Sequence, residues 1–203
     1  MVAIYGQTDK VMLKQMVGEA ETGFYSTAVS LNAAWCFVLI AIIDSMYPSI
    51  MKAFQKDEEM FKKRNKQLYA IVFYLAVAAS VLYTIFAEFL VGTLYGEAYL
   101  PTVMPLRIIT WYTAFSYLGG ARNAWVVCED RQKYLVIIYA VSAAANVVLN
   151  FLLIPDFGAS GAAAASLVTQ ILTILVVPFF VKGLRENAKL MVEAIFLKGV
   201  RGT

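Results

Sequence analysis

Residues 134–181 read YLVIIYAVSAAANVVLNFLLIPDFGASGAAAASLVTQILTILVVPFFV. They contain two apolar runs, 134–154 and 161–181, joined by a connection at 155–160 that carries neither Lys nor Arg. Each run meets the roughly 20 residues that an α-helix needs to cross about 30 Å of hydrocarbon. Three comparable runs precede them, near 24–50, 68–91 and 103–127, and residues 1–17 look like the final turns of one more, interrupted by Asp9, Lys10 and Lys14. None alternates polar and apolar residues as the strands of a membrane barrel do, and helices satisfy their own backbone in lipid. The expected fold is all-α, a polytopic membrane helix bundle of five complete transmembrane helices plus the end of a sixth.

Composition points the same way. The chain is 61% hydrophobic and 15% charged over 203 residues, against roughly 45–50% apolar and about 25% charged residues in soluble domains. Membrane lipid is therefore an expected partner. A net charge of +3 does not make a basic surface for nucleic acid, and none is expected. The chain has no His, and its two cysteines fall in unlike places, Cys36 inside an apolar run and Cys128 in a polar connection. That pattern supports no disulfide, metal site or other cofactor. The N-terminus lacks the order of basic start, apolar core and small-residue cleavage site of a signal peptide. Phosphate-loop, zinc-hydrolase and nucleophile-elbow motifs are absent as well, so the expectation is a carrier and not an enzyme, driven by an ion gradient, by membrane potential or by its substrate's own gradient.

Lys and Arg sort strictly by connection. Segment 52–67 holds Lys52, Lys56, Lys62, Lys63, Arg64 and Lys66; 128–133 holds Arg131 and Lys133; the tail holds Lys182, Arg185, Lys189, Lys198 and Arg201. Segments 18–23, 92–102 and 155–160 hold none. The positive-inside bias places the first three in the cytoplasm and the others outside. Within the tail, 184–203, apolar residues recur at Leu184, Ala188, Met191 and Ile195, which suggests an amphipathic helix lying on the inner leaflet. Residues 52–62 read equally as helix or as a solvated loop.

Charges at membrane depth need a partner, a wet cavity or an escape to the interface. Asp9 and Lys10 are neighbours, about 100° apart on a helix, so at least one faces a cavity unless the helix has already left the membrane there. Asp44 is too short to reach the interface easily and is expected to point inward, bound to Lys, Arg or water. Arg107 and Arg122 bracket the third complete span, about 60° apart in projection, and either line a cavity or reach out to the interface. Between and beside them Thr113, Ser116, Gly120 and Asn123 form a small, polar stripe suited to close packing or a wet wall. Ser142, Asn146 and Asn150 form a ridge at i, i+4, i+8 that either joins helices by hydrogen bonds or lines a path.

Several local patterns resemble one family. Thr8–Leu13, Gly18 and Gly23–Ala28 are similar to the link between the seventh and eighth helices of polysaccharide flippases in the multidrug/oligosaccharidyl-lipid/polysaccharide exporter superfamily. Tyr47-Pro48-Ser49, Leu94–Tyr99, and Asn146 through Asn150 to Ile154-Pro155, followed by Gly158 and Gly161-Ala162-Ala163, resemble its later signposts in order. The family is built from two six-helix lobes, and residues 1–183 resemble the C-terminal lobe, with Met1 a truncation or an internal start. The resemblance implies translocation of an undecaprenyl-pyrophosphate-linked oligosaccharide, a precursor of O-antigen, capsule or exopolysaccharide, across the bacterial inner membrane. It also implies a missing N-terminal six-helix lobe as partner. By chemistry and depth, Lys10, Arg107, Arg122, Asn123, Asn146 and Asn150 are the substrate-cavity candidates, and Asp9 and Asp44 the ion-coupling candidates. Competing expectations are a multidrug or lipid II exporter of the same superfamily, a membrane glycan polymerase or ligase, which the short outer connections disfavour, and a half-protein that only packs against a partner.

Overall fold

In a computed structural model, residues 2–200 are described, with side chains from residue 7 onward; Met1 and the tail end 201–203, including Arg201, lie outside the described residues. The described residues are almost entirely helical, joined by short turns and without strands. Helix α1 spans Val2–Met16, α2 Glu19–Lys56, α3 Glu58–Tyr95, α4 Val103–Cys128 and α5 Leu135–Ile171. A π-helical stretch, Leu172–Val176, continues α5 into α6, Val177–Phe180, and α7, Arg185–Ile195, is the last helix among the described residues. Three segments, Glu19–Lys56, Glu58–Tyr95 and Gln132–Phe180, are long and apolar enough to cross a membrane.

The boundaries follow local chemistry. Asp57 alone separates α2 from α3: its backbone is extended, and its carboxylate accepts from Met60 N at 2.8 Å. Glu58 and Glu59 then occupy the first turn, where acidic side chains favour the helix dipole. Residues 52–62 are thus helical on both sides of a one-residue joint, which resolves the two readings of that segment.

The break inside α5 sits at Gly158, with φ 53° and ψ −130°, a conformation that only glycine adopts readily. Two residues twenty positions apart in a straight helix lie about 30 Å apart, yet Asn146 Nδ2 donates to Ser166 Oγ at 3.5 Å. The chain therefore folds back at Gly158, and α5 consists of two antiparallel limbs. Gly161 makes the return possible, since a Cβ there would strike the Leu153 carbonyl.

Side-chain contacts sort the connections onto two ends of the bundle. At one end Lys62 pairs with Glu186 at 2.8 Å, Lys66 with Glu193 at 2.7 Å, the Cys128 thiol donates to the Met51 sulfur at 3.2 Å, and Gly183 lies against the Tyr134 ring. At the other end Ala159 N donates to Glu21 Oε2 at 2.7 Å, and the Phe24 and Tyr99 rings meet edge to face. The Lys- and Arg-bearing connections share the first end and the bare ones the second, as the charge pattern required.

Helix α7 departs from expectation in what covers it. Leu184, Ala188, Met191 and Ala194 are buried, and the helix is pinned to α3 by Asn187 Nδ2 donating to Tyr69 OH at 2.6 Å and by Tyr74 OH donating to Ile195 O at 2.7 Å. The apolar stripe that periodicity assigned to the leaflet is occupied by protein: Leu184, Leu190, Met191 and Ala194 belong to the same core cluster as Leu68, Tyr69 and Val72 of α3.

Candidate functional site

Asp9, in the middle of α1, is 1% exposed and is the hub of a polar cluster. Its Oδ2 accepts from Tyr25 OH and from Ser166 Oγ, both at 2.7 Å, and its Oδ1 accepts from Asn150 Nδ2 at 2.6 Å. Asn150 Nδ2 also donates to Asn146 Oδ1 at 3.2 Å. Four segments thus converge on one carboxylate: α1, α2 and both limbs of α5. Every donor is neutral, and among the described residues Asn150 Oδ1 is a buried acceptor left without a partner beside the carboxylate. The Asn ridge accordingly serves as interhelical hydrogen bonding, centred on a charge.

Beside this cluster opens a cavity of about 390 Å³, walled by the Tyr25, Tyr112 and Tyr117 rings and by Asn32, Thr113 and Ser116. Its polar wall is ordered internally: Asn32 Nδ2 donates to Thr113 Oγ1 at 2.7 Å, and Trp35 Nε1 to Asn32 Oδ1 at 3.4 Å. Thr113, Ser116 and Gly120 of the predicted stripe on α4 line this space. Ser116, Gly120 and Asn123 continue into a smaller chamber of about 70 Å³ between α4 and α5, where Arg122 forms part of the wall. Arg122 is 2% exposed, and its Nε and Nη1 have no hydrogen-bond partner.

The remaining candidates lie elsewhere. Arg107 is half-buried with its Nε donating to the Thr84 carbonyl at 3.1 Å, and it borders neither chamber. Lys10 is half-buried one position from Asp9 and also borders neither. Asp44 is exposed on α2 and takes part in no ion pair among the described residues. Glu88, which hydropathy alone did not single out, is likewise exposed on α3.

Tyr25, Ser166 and the aromatic walls were not anticipated. Tyr25 falls inside the Gly23–Ala28 motif, and Ser166, Thr169 and Thr173 recur at i, i+3, i+7 along the second limb. That second stripe is the one signal that would have placed Ser166 on an inward face.

A family model described as "Polysaccharide biosynthesis protein" matches residues 1–104, just over half of the chain. The chain belongs to this family. Asp9, Tyr25 and Asn32 lie in the matched part, and Arg122, Asn150 and Ser166 beyond it. The chain is also similar to the capsular polysaccharide biosynthesis protein CapF of Staphylococcus aureus, with 19% identity over 174 residues, covering 85% of this chain and 44% of CapF. The chain thus spans less than half the length of that curated relative. No solved structure gives a significant match.

Proposed function

We propose that this chain is the C-terminal lobe of a flippase that carries an undecaprenyl-pyrophosphate-linked oligosaccharide across a bacterial inner membrane. In this reading α2, α3, α4 and the two limbs of α5 make five crossings, α1 is the end of a sixth, and the Lys- and Arg-rich end with α7 faces the cytoplasm. A second, N-terminal lobe completes the cleft, and the two rock so that the cavity opens to each side in turn while the lipid tail stays in the bilayer. The protein is a carrier, not an enzyme, and its product feeds O-antigen, capsule or exopolysaccharide assembly.

The observation that carries this reading is Asp9. A carboxylate sealed at membrane depth, joined to three other segments and bordering a 390 Å³ cavity, is costly unless function requires it. Binding a proton or a sodium ion there neutralises the charge and weakens the charge-assisted bonds that tie α1 to α5, and its release restores them. An ion gradient is thereby coupled to the packing of these helices. Membership in a polysaccharide biosynthesis family supports a sugar-bearing substrate, and the aromatic walls of the cavity suit sugar rings.

The test is reconstitution of the full-length protein in liposomes with a fluorescent lipid-linked oligosaccharide, scoring access to a membrane-impermeant quencher. Movement that depends on a proton or sodium gradient and disappears in Asp9→Asn supports the proposal. Gradient-driven export of a cationic dye with no movement of the sugar lipid would instead identify a multidrug exporter, for which the Asp9 carboxylate at the cavity wall would be the recognition element.

A further inference from the structure

Among the described residues no carboxylate pairs with the buried Arg122 guanidinium. Two of its three nitrogens donate to nothing, and the titratable groups facing it are the phenols of Tyr69 and Tyr139. A guanidinium cannot escape by losing its proton, and an unpaired charge in such a place is strongly unfavourable. An anion in the chamber would meet both the charge and the two idle nitrogens.

The chamber limits what that anion can be. About 70 Å³ is room for a few water-sized groups, enough for one tetrahedral oxyanion and too little for a sugar chain or an isoprenoid. Ser142, Thr173, Asn123 and Gln170 add neutral polar groups to the wall, and phosphate is the anion whose several oxygens suit a guanidinium flanked by hydroxyls and amides. Ser116 and Gly120 belong to both this chamber and the larger cavity. A phosphoryl group can therefore sit against Arg122 while the rest of a larger headgroup occupies the 390 Å³ space.

We propose that the Arg122 chamber is a phosphoryl-anion site, filled either by the pyrophosphate end of a carried headgroup or by free inorganic phosphate. The first source rests on the carrier reading above; the site itself rests only on the unpaired guanidinium and the chamber.

The experiment uses the full-length protein in phosphatidylcholine nanodiscs and measures both radiolabelled inorganic phosphate binding and the thermal unfolding midpoint. Saturating phosphate is expected to raise the wild-type Tm by about 3 °C and to leave Arg122→Leu unchanged. That variant, without phosphate, should be at least as stable as wild type because its unpaired charge is gone. Arg122→Lys should bind at least tenfold more weakly than wild type, and it substitutes for the leucine variant if that variant fails to fold. Displacement of labelled phosphate by a water-soluble, short-prenyl pyrophosphate sugar assigns the site to the carried headgroup; binding of phosphate without displacement assigns it to the free ion. An equal phosphate shift in wild type and Arg122→Leu, or no binding of either probe to wild type, overturns the proposal. Phosphate binding that persists while the liposome assay shows no sugar-lipid movement would defeat the carrier reading and leave this site standing.

Discussion

Asp9 and Arg122 are almost equally sealed, at 1% and 2% exposure, but the bundle closes around the first and leaves the second open. Three donors reach the carboxylate from three directions, whereas the guanidinium keeps two nitrogens idle. The contrast has a chemical root. Serine, tyrosine and asparagine donate hydrogen bonds without bringing a charge into the membrane, so a buried acceptor is readily completed from neutral side chains. A buried guanidinium needs several acceptors, and in a helical bundle the backbone carbonyls are already engaged within their own helices. An anion can be built in, while a cation at this depth calls for a ligand.

The largest expected effect comes from breaking the closed side of the contrast. Asp9→Ala strands Tyr25 OH, Ser166 Oγ and one Asn150 N–H bond at once, and at about 1 kcal/mol or more per orphaned group it should cost about 3 kcal/mol of stability and all transport. Thermal unfolding in detergent micelles, run beside Asp9→Asn, separates the two losses, since the amide retains bulk and part of the hydrogen bonding but not the charge. Next in size is Gly158→Ala, which places a Cβ in a left-handed conformation and against the Glu21 carboxylate. A destabilisation of about 2 kcal/mol is expected, together with weaker sodium or proton dependence, because both α5 limbs that serve Asp9 hang from that joint.

Ser166→Ala removes a single donor and should cost about 1 kcal/mol, leaving gradient-driven transport measurable but altered in its ion dependence. An unchanged ion dependence would show that the carboxylate is structural. The smallest effect lies far from both charges. Hydrogen bonds to Glu186 and then Glu58 hold the Lys62 ammonium above the ordinary lysine range. Because the folded value is raised, the stabilisation is fully present below about pH 10.4 and is lost only as pH climbs through the higher folded value. Protease access to α7 should be flat between pH 6 and 9, and Lys62→Ala should cost no more than about 1 kcal/mol.

Much of this architecture is legible in the sequence because lipid imposes length and apolarity on every crossing, and because loop charges record which end they share. The turn at Gly158 lies in the connection placed at 155–160, and Asp9 announces itself as a charge in an apolar run. Other features resist such reading for physical reasons. Arg107 and Arg122 look alike in projection, yet one bonds to the Thr84 carbonyl and the other keeps two nitrogens without a partner, a difference set by the neighbouring helix. The periodicity of α7 demands a cover for its apolar side but does not say whether lipid or α3 provides it. Tyr25 and Ser166 are ordinary hydroxyl residues until the fold carries them to within 2.7 Å of Asp9.

Asn150 and Ser166 lie at equal chain distance on either side of Gly158, so the two limbs act on Asp9 as the jaws of a pair of tongs act on what they grip. Each jaw is a lever arm of about 12 Å, so an opening of about 5° per limb displaces each tip by about 1 Å. That travel is enough to lengthen two hydrogen bonds of 2.6 and 2.7 Å beyond useful range together. A small rotation at one glycine would thus strip the carboxylate of two of its three donors together and leave it held by Tyr25 alone.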